Sequence, residues 1–166
     1  MLLHANVQKY TIIMAAVRTN TLKMLERRGY DMNIVESADV YLRIPSALIV
    51  FVPDEKVNIS QMKNILALRI DEERVVIVHT KTITSEAKNI ISSTRNVETF
   101  MYDEMEFDRM EIVPVHIKVE GDKPKDWKQY PILLRTDATC RYFGFDRGDL
   151  VKIAEDDGTI CYRRVV

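Results

Sequence analysis

Hydrophobic residues recur every three or four positions near the start of the chain. The positions are Val7, Tyr10, Met14, Val17, Thr21 and Met24. This spacing predicts a long amphipathic helix with one buried face. We expect it to end near Arg27 and Arg28, because cations suit the negative end of the helix dipole and Gly29 can adopt the left-handed conformation that stops a helix.

Three runs of apolar, largely β-branched residues predict buried strands. They lie at 47–52, 75–78 and 97–102. Helices capped by Ser60 and Thr84 are expected between these strands. Alternation of strands and helices favours right-handed crossovers, so residues 1–106 are predicted to form an α/β domain with a small, mainly parallel sheet.

The pattern changes after the acidic stretch at 103–108, and residues 107–166 are predicted to form a second, smaller mixed α+β domain. The predicted elements are an extended segment at 112–119, a short helix capped by Asp137 and ended by Gly144, a turn at Gly148, and a hairpin of strands at 150–153 and 159–163.

The charge balance argues against a nucleic-acid-binding protein that acts alone. Lysine and arginine total 24 against 25 acidic residues, which gives a net charge of -1, whereas such proteins usually carry a basic excess. Cys140 and Cys161 lack metal-site spacing, and no apolar run approaches the roughly 18 residues of a membrane span. We expect a soluble intracellular protein with no metal or other cofactor, no membrane partner and no small-molecule substrate.

The most nuclease-like feature is Asp54 after a predicted strand, followed later by the Glu86-x-Lys88 triplet. Metal-dependent nucleases need convergent carboxylates and a nearby lysine. The triplet falls at the start of a predicted helix, where residues two apart point in different directions. The histidines are also scattered, at His4, His79 and His116. We therefore predict that the chain is not an enzyme.

A continuous motif near the carboxyl terminus carries the main functional hypothesis. Residues 137–153 read DATCRYFGFDRGDLVKI, and Tyr162-Arg163 follows. This segment closely resembles the fifth common subunit of eukaryotic DNA-dependent RNA polymerases, whose C-terminal domain is similar to a small assembly subunit of archaeal RNA polymerases. The family pattern is DPxxRYxGxxRGxxVKI, again followed by Tyr-Arg.

Weaker similarities extend the resemblance over most of the chain. Val113-Pro114-Val115-His116 resembles the family's entrance to this domain, and Arg28-Gly29-Tyr30 after a long helix resembles its N-terminal jaw domain. Ala138 replaces the usual proline, and the segment at 120–128 and the final hairpin are shortened. The resemblance is therefore to a shortened eukaryotic or viral form of the subunit.

The resemblance implies a non-catalytic transcription subunit. Residues 107–166 would anchor on the polymerase's largest subunit beside other core subunits, and the jaw would face downstream duplex DNA. The residues expected at the subunit interface are His116, Arg141, Tyr142, Arg147, Lys152, Tyr162 and Arg163. Asp137, Gly144 and Gly148 are expected to have structural roles. The implied location is the nucleus, or a virion or cytoplasmic viral factory if the protein is viral.

The predicted helix that opens at Thr84 is a candidate phosphate contact. Free N–H groups and the positive end of the helix dipole favour anions, and Lys81, Ser85 and Lys88 lie close in sequence. Such contacts would be independent of DNA sequence. An ordinary capped helix with exposed lysines explains the same residues. Two further hypotheses stay open: a degenerate nuclease-fold DNA-binding protein that works alone, and a free assembly adaptor.

Overall fold

The computed structural model describes residues 2–53 and 56–166, and it is a mixed α/β protein with two small sheets. The chain divides into two compact units, Met1–Phe107 and Asp108–Val166. Asp54 and the side chains of His4, Val7 and Tyr10 lie outside the described residues. No helix within 2–53 or 56–166 combines the length and hydropathy that a membrane crossing requires.

The first unit begins with the predicted long helix, α1 (Leu2–Arg27). Val17, Thr21 and Met24 are fully buried, which confirms the apolar face for the described side chains. The helix ends as expected: Gly29 has φ +81° and donates its N–H to the Glu26 carbonyl at 2.8 Å. Tyr30 donates to the Leu25 carbonyl at 3.1 Å, and together these bonds form a Schellman motif.

Five strands form the sheet of the first unit, in the order β1 to β5. They are β1 (Glu36–Ser37), β2 (Tyr41–Ile44), β3 (Ala47–Val52), β4 (Arg74–His79) and β5 (Val97–Met101). β3, β4 and β5 pair in parallel as predicted, but β1 with β2 and β2 with β3 are antiparallel. The sheet is therefore mixed rather than mainly parallel, because only Pro45 and Ser46 join β2 to β3 and so short a turn permits only antiparallel pairing.

Helices pack against this sheet. Two predicted boundaries were wrong, the start of the helix after β3 and the end of β5. α2 (Ile59–Leu68) starts at Asn58 rather than Ser60, because Asn58 forms a capping box with Gln61. α3 (Ser85–Ser93) starts at the predicted cap Thr84. Strand β5 stops at Met101, since the next residues form the short helix α4 (Tyr102–Met105).

Both faces of strand β3 are buried. Leu48, Val50 and Val52 pack with residues of α2 and α3, whereas Phe51 alternates to the other side. There the Arg18 guanidinium of α1 lies 5.0 Å from the centre of the Phe51 ring. Helices therefore lie on both sides of β3, as expected for a strand that is apolar throughout.

The second unit has a four-stranded sheet in the order β6-β8-β9-β7. Its elements are β6 (Val115–Lys118), β7 (Ile132–Leu133), α5 (Ala138–Phe143), β8 (Leu150–Ala154) and β9 (Ile160–Val165). β8 and β9 form the predicted antiparallel hairpin, whereas β7 pairs with β9 in parallel. Short 3₁₀ helices at Arg109–Glu111 and Trp127–Gln129 precede β6 and β7.

The predicted boundaries of α5 are confirmed. The Asp137 carboxylate accepts a hydrogen bond from the Thr139 N–H at 2.8 Å, and Gly144 ends the helix with φ +68°. The helix buries Cys140 against one face of the sheet, beside Val151, Ile153 and Val165. The hydrophobic cluster around α5 therefore lies on one side of the sheet.

Candidate nucleic-acid and subunit interfaces

The segment between β4 and α3 is tied to the strand ends of the first sheet. The Thr80 N–H donates to the Val52 carbonyl at 3.3 Å, and the Thr84 N–H donates to the Val57 carbonyl at 3.0 Å. His79 is buried, and its Nδ1 lies 2.6 Å from the Lys81 carbonyl. These bonds hold the start of α3 beside the C-terminal ends of the parallel strands β3 and β4.

The predicted DNA contacts lie together at these strand ends. The Thr84 hydroxyl accepts a hydrogen bond from the Ala87 N–H at 3.3 Å, so it serves as a helix cap. Lys81, Ser85 and Lys88 are exposed around it. Glu86 is also exposed in the first turn, where its charge opposes the binding of an anion. The arrangement suits one or two phosphate contacts rather than a strongly basic binding groove.

The sequence reasoning missed Lys56 as a member of this group. Val57 forms a parallel bridge with Ile83, which brings the exposed Lys56 close to the segment before α3. The usable signal was topological, because loops after adjacent parallel strands meet at the same sheet edge.

The structure shows no nuclease-like site among the residues that it describes. Glu86 and Lys88 both lie on α3, as predicted, and Asp54 lies outside the described residues. Within 2–53 and 56–166, no three histidine, cysteine or acidic side chains are grouped so that they could hold a metal ion.

Strand alternation gives the second sheet two different faces. The core face carries the side chains that pack with α5. The other face, which we call the open face, carries the alternate residues of the four strands: Val115, Ile117, Ile132, Leu150, Lys152, Ala154, Ile160, Tyr162 and Arg164. It is covered in part, because Leu150 is fully buried and Tyr162 and Arg164 are half-buried.

The predicted interface residues do not lie on one face. Lys152 and Tyr162 are directly paired on the open face, where the Tyr162 ring stacks on Tyr130 with 5.7 Å between ring centres. His116 and Arg163 belong to the core side of the sheet, because they pair with Ile153 and Val151. Arg141 and Tyr142 lie on α5, and Arg147 is exposed in the turn before β8.

Several of the predicted interface residues also have clear structural contacts. The His116 ring stacks near Phe143 with 6.4 Å between ring centres, and its Nδ1 lies 2.6 Å from the Pro114 carbonyl. Tyr142 is buried and meets the Phe143 ring edge-on. These contacts place both residues in the packing of the core side.

The cysteines of the second unit have different environments. Cys140 is fully buried, and burial, with smaller contributions from the charges of Asp137 and Asp149, raises the pKa of its thiol to about 11. It therefore stays protonated at neutral pH, which is unsuitable for a thiolate nucleophile. Cys161 is half-buried and free.

Arg164 is a second residue that the sequence reasoning missed. It lies on the open face opposite Leu150, and its Nε is buried without a hydrogen-bond partner among the described residues. Its position follows from alternation along β9, which groups it with Ile160 and Tyr162.

No protein-family model matches the chain. It is 28% identical over 114 residues to "Uncharacterized protein 092R" of Invertebrate iridescent virus 3, a match that covers 68% of this chain and 63% of the relative. It is 30% identical over 87 residues to "Uncharacterized protein 028R" of Frog virus 3 (isolate Goorha), covering 49% of this chain and 54% of the relative. The chain thus spans less than two thirds of either relative's length.

Proposed function

We propose that this protein is a non-catalytic subunit of a multisubunit DNA-dependent RNA polymerase. The observation that carries the proposal is the resemblance of residues 137–153 and Tyr162-Arg163 to the fifth common polymerase subunit. The local structure gives physical reasons for the motif's spacing: Asp137 caps α5, and Gly144 and Gly148 have φ angles of +68° and +92°.

The similarity to proteins of two viruses supports the viral form of this proposal. A viral polymerase subunit acts where the viral genome is transcribed. For the viral form that compartment is a virion or a cytoplasmic viral factory, and for the eukaryotic form it is the nucleus.

In this proposal the two units have separate roles. The second unit anchors the chain on the largest subunit, beside other core subunits. The first unit presents Lys56, Lys81, Ser85 and Lys88 to the phosphates of downstream duplex DNA, with no dependence on base sequence. Glu86 weakens this attraction, so most of the DNA affinity comes from the rest of the polymerase.

The direct test is purification of the full chain, tagged, from the cells that naturally produce it. We expect the two largest polymerase subunits to co-purify with the chain in near-equal amounts. An untagged preparation carried through the same steps controls for non-specific recovery. Recovery of the chain alone, or with proteins unrelated to transcription, would contradict the proposal.

A further inference from the structure

The open face of the second sheet exposes four aliphatic side chains. The exposed fractions are 59% for Val115, 51% for Ile117, 48% for Ile132 and 52% for Ile160. These four side chains come from three different strands, β6, β7 and β9, yet share one face. Val115 and Ile117 are neighbours on edge strand β6, and Ala154 lies between Val115 and Ile160, whereas Ile132 lies on the other edge strand beside Arg164. Exposed apolar side chains grouped on one face mark interaction surfaces.

The same face carries two cations without acidic partners. Lys152 and Arg164 form no ion pair with any residue of the described chain, and Arg164 also leaves its buried Nε without a hydrogen bond. None of the nine residues of the open face is acidic. The charge of this face therefore favours an anionic group on a partner.

We propose that the open face docks a protein segment that carries apolar side chains together with at least one carboxylate. The apolar side chains cover Ile117 and its aliphatic neighbours, and the carboxylate pairs with Arg164. Planar guanidinium groups bind carboxylates through paired hydrogen bonds, and the two terminal nitrogens of Arg164 can provide such a pair. The inference rests on the proposed function in one respect: we assign the segment to the polymerase subunit that anchors this chain.

A nucleic acid fits the open face less well than a protein segment. Two cations among four aliphatic side chains are too few for a surface whose affinity comes from phosphates. Tyr162, the aromatic residue of the face, already stacks on Tyr130, which reduces the ring surface available to a base. Aliphatic side chains instead gain from apolar protein surface.

Two arginines of the second unit provide a matched pair of charge-reversal variants. Arg164 lies on the open face, whereas Arg135 is exposed just after β7, 3.7 Å from Asp146, and is not among the expected interface residues. We expect Arg164→Glu to weaken co-purification with the polymerase about tenfold or more. Arg135→Glu is expected to change it less than twofold. Thermal unfolding of each free chain checks that both variants fold.

Photo-crosslinking tests the same face without a charge change. A benzoylphenylalanine is placed at Ile117 in one full-length chain and at Arg163 in another, and each is irradiated in the purified complex. We expect position 117, and not position 163, to crosslink to a polymerase segment that contains apolar and acidic residues. This result would support the inference even if Arg164→Glu fails to fold.

The remaining outcomes separate the inference from the proposed function. Crosslinks from position 163 alone, or from neither position, in a chain that still co-purifies with polymerase overturn the open-face assignment and leave the proposed function standing. Crosslinks from position 117 to nucleic acid overturn the assignment as well. Crosslinks from position 117 to an acidic segment of a protein outside the polymerase overturn the assigned partner and count against the proposed function.

Discussion

The two sheets of this protein differ in how their faces are covered. In the first unit every residue of β3 is buried, and helices pack on both sides. In the second unit α5 covers one face, and the other exposes aliphatic side chains from three strands. A sheet closed on both faces can contact partners only through its edges and loops, whereas a sheet with an open face can bind with the face itself.

The sharpest test of this difference compares Phe51 with Ile117. Phe51 is 2% exposed, so Phe51→Ala is expected to cost about 3–5 kcal/mol of unfolding free energy in the first unit. Ile117 is half exposed, and Ile117→Ala is expected to cost about 0.5 kcal/mol or less.

Denaturant unfolding can follow each unit separately in the full chain. The single tryptophan, Trp127, reports on the second unit, and far-ultraviolet circular dichroism reports mainly on the helices of the first. If Ile117→Ala destabilises the second unit as strongly as Phe51→Ala destabilises the first, the open face is part of a core and the comparison fails.

A buried ion pair lies beside strand β2 of the first sheet. Arg43 and Glu73 have side chains that are 8% and 9% exposed, with 2.5 Å between a guanidinium nitrogen and a carboxylate oxygen. Glu73→Gln is expected to cost about 2 kcal/mol, because Arg43 then keeps only Glu36, 3.2 Å away, as a charged partner.

The neighbouring Glu72 is the matched control for Glu73. It is 86% exposed and lies 3.6 Å from Arg69, so Glu72→Gln is expected to change stability by about 0.5 kcal/mol or less. Equal effects of the two substitutions in denaturant titrations would show that the buried pair does not stabilise the first unit.

The helix caps let the two units be perturbed separately. Asp137→Ala removes the cap of α5 and is expected to destabilise the second unit by about 1 kcal/mol, detected as an earlier Trp127 fluorescence transition. Asn58→Ala removes the cap of α2 and is expected to shift the dichroism transition by a similar amount. Coincident shifts of both signals in both variants would mean that the units unfold as one.

The smallest expected effect concerns the strand ends of the first sheet. Lys81→Ala combined with Lys88→Ala is expected to reduce retention of downstream DNA by the assembled polymerase a few-fold at low salt. Loss of two phosphate contacts reduces by about 2 the slope with which the logarithm of DNA affinity falls against the logarithm of salt concentration. Assembly of the polymerase should not change.

Arg95→Ala is the control for the lysine variants. Arg95 is an exposed cation just beyond the other end of α3. If the lysine double variant retains DNA as well as Arg95→Ala does, the start of α3 is an ordinary capped helix with exposed lysines.

Most of the helices and strands could be predicted because their signals are local. The apolar runs predicted β3, β4 and most of β5, and Thr84, Asp137 and Gly144 correctly marked helix ends. β1 and β2 were missed because they are short, and because Arg43, whose burial depends on ion pairs with Glu36 and Glu73, interrupts the apolar pattern of β2. Because β1 and β2 provide the antiparallel pairs, the mixed pairing of the sheet was not predicted either.

The candidate sites depend on contacts between distant segments, which sequence spacing does not reveal. The motif placed Lys152 and Arg163 in one predicted interface, yet the strand register puts them on opposite faces of the sheet. Lys56 joins the predicted phosphate contacts only through the bridge between Val57 and Ile83. The unpartnered Nε of Arg164 is a property of packing, and no motif encodes it.

The most direct test of the proposed function is the composition of the polymerase itself. RNA polymerase is purified through a tag on its largest subunit from the cells that produce this protein, and each chain is quantified by mass spectrometry. The proposal predicts one copy of this chain per polymerase, retained through high-salt washing. A complete, transcriptionally active polymerase that lacks the chain would contradict it.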